Sequence, residues 1–251
     1  MMEKLFDTKR IAGKRVLITG GTTGIGRAIA IRLAELSANM VIVGRHQDAI
    51  EETLNAMAHQ DTQTQILGVA ADMSLQEDIE KVFNTVREEL GGLDILINNA
   101  ALGYGSVMEG EYNDWDYIIK TNLVGYMACS NYAVKEMQVQ AKGNLILIGS
   151  MSADARDGGS SVYVATKSAL QGFSESLRKE VNPKGINVTL IEPGAVDSDM
   201  QEQSKEEKDQ KIKDKEMLMA DDIAESVIYV LSQSERTSIV ELKIKPLKQI
   251  I

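Results

Sequence analysis

The chain has 251 residues, of which 43% are apolar, and this is enough to build a sizeable core in one α/β domain. A formal net charge of −10 repels phosphate backbones, so we expect no nucleic-acid partner. Two histidines and one cysteine leave no clustered metal-ligand set, and no apolar run is long enough to span a bilayer. The single Cys129 excludes an internal disulfide, and the N-terminal segment lacks the apolar stretch of a secretory signal. We therefore expect a cytoplasmic protein without a metal or a membrane partner.

Short apolar segments rich in Val and Ile alternate with helical patterns along the whole chain. The predicted strands are, in order, Arg15–Thr19, Met40–Val43, Gln65–Val69, Ile95–Asn98, Asn144–Ile148, Asn187–Ile191 and Ser238–Ile244. The predicted helices are Ile25–Leu36, Ser74–Leu90, Asn113–Val139, Ser161–Val181 and Asp221–Leu231, and Ser74 with Glu77 has the spacing of a capping box. This alternation predicts an α/β fold, a doubly wound parallel sheet of about seven strands with helices on both faces.

A glycine-rich turn joins the first predicted strand to the first predicted helix. Such a turn needs residues that accept positive φ, and a backbone without Cβ can approach a pyrophosphate. The N–H groups at the start of the following helix then bind the anion. The alternative is a plain strand-to-helix turn. We predict a dinucleotide phosphate site formed by Gly20, Thr22, Thr23, Gly24, Ile25 and Gly26.

The order Thr-Gly-x-x-x-Gly-Ile-Gly in this turn resembles the cofactor loop of the classical short-chain dehydrogenases/reductases. The resemblance runs from about Lys14 to Gly194, and more loosely to the end of the chain. It implies one Rossmann-type domain over residues 1–251, with a cofactor half at about 14–150 and a catalytic and substrate-lid half at about 150–251. It also implies an oxidoreductase that moves a hydride between a nicotinamide and a carbonyl or secondary alcohol.

The end of the second predicted strand bears on the choice of nicotinamide cofactor. A carboxylate at this place would accept a hydrogen bond from the ribose 2′-OH of NAD and repel the 2′-phosphate of NADP. The chain instead reads Val-Gly-Arg-His, and Arg45 can pair with a phosphate through two parallel donors. We therefore expect NADP(H). The alternative is that Arg45 is a solvated loop residue and that NAD is used.

The resemblance implies further cofactor contacts, each directly after a strand: Asp72 and Met73, Asn99 and Ala100, and then Pro193, Gly194, Val196 and Ser198. Asp72 would contact the adenine ring, with a helix cap as the alternative. Asn99 would lie beside the ribose, with satisfaction of unpaired backbone groups as its alternative. Two departures from the family pattern are mild, since Ala101 replaces a usual Gly and Ser198 a usual Thr.

Tyr163 and Lys167 are four residues apart and so lie on one face of the predicted helix. A nearby ammonium stabilises a phenolate and is expected to lower the pKa of Tyr163 from about 10, which would allow it to act as acid and base. Such a pair alone is more often an ordinary surface contact. Ser150 stands where the family places its substrate-orienting serine, with Ser152 as a substitute. Asn122 matches the family's helix asparagine, whose backbone carbonyl holds a water that reaches the lysine.

The resemblance leaves the substrate open among small carbonyl and alcohol compounds. Tyr104, Met151 and Met200 are candidate substrate contacts, together with Leu102, and core packing is the alternative for each. The polar stretch at 200–216 falls where the family carries its substrate lid. The alternative is that it forms a solvated helix or a surface loop, which would have the same polar composition.

The sequence also supports expectations about the oligomeric state and about alternative functions. We expect a homodimer through the helices near 113–139 and 161–181, or a homotetramer, although the tail Val240–Pro246 differs from the Gly-rich tail of many tetrameric relatives. Two alternatives to the leading function are a catalytically inactive dinucleotide-binding regulatory protein and an NAD-preferring hydroxy-acid or polyol dehydrogenase. A sugar-nucleotide epimerase conflicts with the chain length.

Overall fold

The fold is a parallel sheet between two layers of helices. The computed structural model describes residues 6–58, 64–198 and 203–250. Within these ranges seven strands pair in parallel in the order β3-β2-β1-β4-β5-β6-β7. They are β1 (Arg15–Thr19), β2 (Asn39–Gly44), β3 (Ile66–Ala70), β4 (Ile95–Asn98), β5 (Gly143–Ile148), β6 (Ile186–Pro193) and β7 (Glu241–Ile244). The strand order reverses between β1 and β4, and the crevice at the carboxyl ends of such strands is where open α/β sheets bind ligands.

Helices connect the strands and cover both faces of the sheet. They are α1 (Gly24–Glu35), α2 (Gln47–Met57), α3 (Gln76–Thr85), α4 (Tyr112–Ile119), α5 (Gly125–Val139), α6 (Ser152–Ala155), α7 (Ser161–Val181), α8 (Lys205–Lys213) and α9 (Ala220–Leu231). Wider, π-type turns at Val86–Leu90 and Lys120–Val124 extend α3 and join α4 to α5. None of the helices in the described ranges is both long and apolar enough to cross a bilayer.

The sheet divides the apolar core into two clusters, one on each face. Val16 and Ile18 of β1 pack towards α1 and α9, whereas Leu17 between them packs towards α3, α5 and α7. All three residues are fully buried, as expected for a strand whose side chains alternate between two covered faces. The apolar runs that predicted the strands therefore reflect burial on both faces.

The predicted doubly wound sheet is confirmed, two local predictions need correction, and one helix was missed. The capping box at Ser74 is wrong, because α3 begins later, at Gln76, and the Ser74 N–H donates to Asp72 Oδ1 at 2.8 Å. The last strand is shorter than predicted, because β7 pairs only with the end of β6 and stays partly exposed. Helix α2 was not predicted, although Ile50, Thr53 and Met57 bury one face at helical spacing.

A forked ion pair ties the start of β1 to the turn before β4. Arg15 donates from Nε and Nη2 to the two carboxylate oxygens of Asp94, each at 2.9 Å, and its backbone N–H donates to the same carboxylate at 3.0 Å. Burial acts to raise the pKa of Asp94, but these hydrogen bonds and the Arg15 charge outweigh it and hold the pKa at about 2. The pair thus stabilises the junction of the two strands beneath the ligand-binding crevice.

We expect Asp94→Asn to lower the free energy of unfolding by about 2 kcal/mol at pH 7, as follows from a carboxyl pKa depressed from about 3.9 to about 2. Because the folded-state pKa is the lower one, this contribution is complete above about pH 5 and fades as the pH falls towards 2. Urea unfolding of both proteins between pH 7 and pH 3 measures it. Glu175→Gln, which removes an exposed ion pair with Lys179, is the control and should change stability by less than about 0.5 kcal/mol. A loss in Asp94→Asn that stays constant over this range would contradict the assignment.

Candidate functional site

A cleft of about 1140 Å³ lies at the carboxyl ends of the strands, across the crevice between β1 and β4. It is lined by the loops that follow β1 to β6 and by the end of the chain. All but three of the predicted site residues line it. The lining residues among them are Gly20, Thr22, Thr23, Gly24, Ile25, Arg45, Asp72, Met73, Asn99, Ala100, Tyr104, Ser150, Met151, Tyr163, Lys167, Pro193, Gly194, Val196 and Ser198. Gly26 and Asn122 lie behind this surface, and Met200 falls outside the described residues.

The glycine-rich turn has the backbone that a phosphate site needs. Gly20 and Gly24 adopt φ of +62° and +47°, a region that residues with a Cβ rarely enter. At Gly26 an added Cβ would lie 1.9 Å from the Gly20 carbonyl oxygen, so only glycine lets α1 pack against the turn. Thr23, the residue before α1, makes no side-chain hydrogen bond to the helix, which leaves the first N–H groups of α1 without a side-chain cap. These features fit an anionic dinucleotide.

Asn99 braces this turn from the end of β4. Its Nδ2 donates to the carbonyl oxygens of Thr19 and Gly20 at 3.2 and 2.9 Å. In return the Thr19 hydroxyl accepts from the backbone N–H groups of Asn99 and Ala100 at 3.0 and 3.1 Å. The amide therefore satisfies backbone groups, as the alternative interpretation of the sequence had it, and it does so at the rim of the cleft.

Arg45 and Asp72 are linked through Tyr117, a residue of α4 that the sequence analysis missed. Arg45 Nη1 donates to the Tyr117 hydroxyl at 3.0 Å, and that hydroxyl donates to Asp72 Oδ2 at 2.8 Å. Burial raises the pKa of Asp72, but hydrogen bonds from Ser74 and Tyr117 and the charge of Arg45 bring it below its usual value. An ionised Asp72 thus orients Arg45 through one phenol. Tyr117 belongs to no motif, and only its place on α4 could have indicated it.

Ser150, Tyr163 and Lys167 meet where β5 ends against α7. Lys167 is almost completely buried, and its Nζ donates to the Ile148 carbonyl oxygen at 3.0 Å. The same Nζ lies 5.7 Å from the centroid of the Tyr163 ring. The Ser150 hydroxyl donates to the Ser152 hydroxyl and accepts from the Ser152 N–H, each at 3.1 Å. The helix spacing and the strand end therefore bring the predicted phenol, amine and hydroxyl to one wall of the cleft.

Burial controls the ionisation of this group. It lowers the pKa of Lys167 to about 7, against the opposing charge of Glu192. It also raises the pKa of Tyr163, while the Ser150 hydroxyl acts in the other direction. The prediction that Lys167 lowers the Tyr163 pKa is therefore wrong for the protein groups alone, because the cost of burying a phenolate exceeds the stabilisation from an amine that is itself poorly charged.

Asn122 holds the loop that lines the cleft. It is fully buried in the π-type turn after α4, and its amide exchanges two hydrogen bonds of 2.8 Å with the backbone N–H and carbonyl of Leu102. The sequence predicted one helix over Asn113–Val139, and this prediction is corrected, because the wider turn Lys120–Val124 around Asn122 divides it into α4 and α5. The wider turn also brings Gly125 close to the Met73 carbonyl, where an added Cβ would lie 2.4 Å from the oxygen.

The predicted substrate side of the cleft carries residues that no motif indicated. Gln249 accepts a hydrogen bond from the Ala195 N–H at 3.0 Å, so the end of the chain crosses the loop after β6. Lys208 of α8 donates to the Ser198 carbonyl at 2.8 Å and ties α8 to the same loop. No group of three or more potential metal ligands occurs in the part of the chain that the structure describes.

We expect Gly26→Ala to destabilise the fold by about 1–3 kcal/mol, because its Cβ would overlap the Gly20 carbonyl and force α1 away from the turn. Gly158→Ala is the matched control, since an added Cβ there meets no atom within 4 Å. Thermal and urea unfolding of both variants measure the difference. Equal stability of the two variants would show that the close approach of α1 to the turn is not required.

Known proteins share both the sequence pattern and the fold. The family model described as short chain dehydrogenase matches residues 14–209. Uncharacterized oxidoreductases of Staphylococcus aureus and Staphylococcus epidermidis are each 31% identical, and these alignments cover 94% of this chain and 98% and 99% of the relatives. A short-chain dehydrogenase from Burkholderia cenocepacia, solved in complex with NADP, superposes with a TM-score of 0.83 at 29% identity over 94% of this chain and 98% of that one. A Serratia marcescens short-chain dehydrogenase/reductase variant gives 0.82 at 27% identity over 94% and 98%. The chain belongs to the short-chain dehydrogenase family of oxidoreductases.

Proposed function

We propose that the protein is an NADP(H)-dependent oxidoreductase that interconverts a small carbonyl compound and its secondary alcohol, with Tyr163 as acid and base. One observation carries the proposal: the Tyr163 phenol is beside a buried Lys167 and next to Ser150, on the wall of a cleft that also holds the glycine-rich turn. An acid/base group and a dinucleotide-phosphate site thus share one cavity.

The residues of the cleft fit a nicotinamide dinucleotide. The first turn of α1 and the turn glycines would hold the pyrophosphate, and Ala100 would lie beside the ribose next to Asn99. Val196 and Ser198, in the loop after Pro193 and Gly194, would border the nicotinamide. When bound, the nicotinamide supplies or accepts the hydride.

Side chains of the protein itself transfer the proton. Tyr163 donates a proton to the carbonyl oxygen during reduction and takes one from the alcohol during oxidation. The Ser150 hydroxyl is placed to donate a hydrogen bond to the same oxygen and to stabilise its developing charge. Lys167 in its ammonium form stabilises the phenolate, and the backbone carbonyl of Asn122 would hold a water that reaches this lysine, as in the family that the chain resembles. Met151 and Tyr104 bound the substrate end of the cleft, and the lid segment carrying Met200 would exclude water.

The preference for NADP(H) rests on Arg45. Its guanidinium lies at the end of β2 and is oriented by Tyr117, whose other partner is Asp72. The residue directly after β2, where a carboxylate would favour NAD, is an arginine, and an arginine attracts the 2′-phosphate of NADP. The carboxylate of Asp72 follows β3 instead. The NADP complex of the Burkholderia relative supports the same cofactor.

We also propose that residues 1–251 form one domain that assembles as a homodimer or homotetramer in the cytoplasm. The side chains of Ile119, Val124 and Met127 are each more than 40% exposed on consecutive turns of α4 and α5. Contact with a second copy of the chain would cover them.

We expect Tyr163→Phe to lower turnover by a factor of about 10² to 10⁴, because the ring keeps its packing but has no proton to transfer. Turnover is read from NADPH absorbance with a panel of ketones and secondary alcohols, and binding from NADPH fluorescence. Tyr229→Phe, at a phenol about half exposed on α9, is the control and should keep full activity. NADPH binding without turnover in the wild-type protein would favour the regulatory alternative.

We expect Arg45→Ala to raise the KM for NADPH by about 10- to 100-fold, the range of a charge-assisted hydrogen-bond pair, and to change the KM for NADH by far less. Arg32→Ala is the matched control, because Arg32 pairs with Glu35 and Glu225 on the surface. Steady-state kinetics with each cofactor give the comparison. A wild-type protein that turns over NADH faster than NADPH at equal concentration would make the Arg45 argument wrong.

A further inference from the structure

Glu192 is a fully buried carboxyl group that the proposed reaction does not use. It is the last residue of β6 before Pro193, and its side chain has no exposure to solvent. A carboxylate without partners would be costly at such a place. Gln171 donates from Nε2 to its two oxygens at 3.1 and 3.4 Å, and Lys243 Nζ lies 3.5 Å from Oε2. The protein therefore provides donors that favour the ionised form.

Glu192 and Lys167 are held at the ends of two paired strands by neighbouring residues of one helix. Gln171 and Lys167 are one turn apart on α7; Gln171 binds Glu192 at the end of β6, and Lys167 binds Ile148 at the end of β5, where Ile148 pairs with Ile191. Lys167 Nζ donates to the Ile148 carbonyl, while the adjacent Gly149 has the Glu192 side chain against it, with Cγ 3.0 Å from where a Cβ would be. Glycine at this position lets the Glu192 side chain pack closely against the backbone just before Ser150.

The other charged groups around Glu192 are largely paired among themselves. From β7, Lys243 lies 2.9 Å from Glu241, and from α6, Asp154 lies 2.6 Å from the same Lys243. Burial raises the pKa of Glu192 to about 7, with Asp154 and Glu241 acting in the same direction and Lys243 and Gln171 opposing. Lys167 Nζ faces the rings of Tyr126 from α5 and of Tyr163, at 5.5 and 5.7 Å from their centroids. The charge of Glu192 acts to raise the lysine pKa that burial lowers.

We propose that Glu192 is a positioning residue for the chemistry proposed above, on which this inference rests: its carboxylate, held by Gln171 and Lys243, favours the ammonium form of the Lys167 amine. A negative charge on Glu192 favours a positive charge on Lys167 inside a low-dielectric region. Loss of the Glu192 charge would leave Lys167 neutral at a pH where Tyr163 needs an ammonium beside it. Glu192 thus acts on the reaction through Lys167, without touching the substrate.

The direct test is the titration of Lys167 in the full-length protein. The carbon-13 signal of its Cε methylene is followed with pH in lysine-labelled protein, and it is assigned by its loss in Lys167→Met. In the wild type the midpoint should lie near pH 7. In Glu192→Gln, which keeps the shape of the side chain, it should fall by about 1 pH unit, a tenfold change in the protonation equilibrium.

Asp154→Asn is the matched control, because it removes a carboxylate that shares Gln171 and Lys243 with Glu192 but does not act on Lys167. Its Lys167 midpoint should stay at the wild-type value. An unchanged midpoint in Glu192→Gln, or an equal fall in both variants, would overturn the proposal. If Glu192→Gln does not fold, Glu192→Met provides the test, since it replaces the buried carboxylate by a neutral side chain of similar length and must lower the Lys167 midpoint by the same amount.

A kinetic measurement separates this inference from the proposed function. The rising limb of kcat/KM against pH for alcohol oxidation reports the phenolate of Tyr163, and in Glu192→Gln it should move to higher pH by a similar amount. The probe is whichever secondary alcohol of the panel the wild-type protein oxidises fastest with NADP. If no alcohol is oxidised, the proposed function fails while the nuclear magnetic resonance titration still decides the role of Glu192.

Discussion

Burial of the Lys167 amine against the end of β5 is the constraint on which the site depends. Its Nζ is tied to the Ile148 carbonyl, and its pKa falls from 10.5 to about 7, which corresponds to an unfavourable free energy on the order of 5 kcal/mol for the ammonium. A surface lysine at this helix position would hold its charge without help but would be screened by water from the phenol. The low dielectric that makes the ammonium costly also strengthens the attraction between an ammonium, where it forms, and a phenolate.

The parallel sheet is what brings such groups together. Every strand ends at the same edge, so the loops after β1 to β6 all open into one cleft, whatever their separation along the chain. The Asn99 amide ties the loop after β4 to the glycine-rich turn, and Asn122 holds the Leu102 loop to the helix behind it. These polar side chains thus form hydrogen bonds with backbone groups, and the hydrogen bonds fix the positions of the residues that face the cleft.

The sequence predicted those features that depend on local order or on short spacing. The strands β1 and β4 and helix α7 begin and end at the predicted residues, because apolar runs and helical spacing report burial directly. The pairing of Tyr163 with Lys167 follows from a four-residue spacing. Tyr117, Glu192 and Gln249 were missed because their partners are distant in the chain and no periodicity marks them. The direction of the Tyr163 pKa was missed for a related reason, since burial is a property of the packed structure.

Contacts between residues that are distant in the chain determine what the recognisable motifs can do. Glu192 and Tyr117 each lie behind a motif residue, and each supplies a hydrogen bond or a charge that the motif residue lacks on its own. A lysine at the fourth position after a tyrosine is common on helix surfaces. Here the lysine is buried, and a buried carboxyl group at the end of the neighbouring strand packs against Gly149 and receives donors from α7 and β7. The motif therefore identifies the residues, and the surrounding packing sets their ionisation.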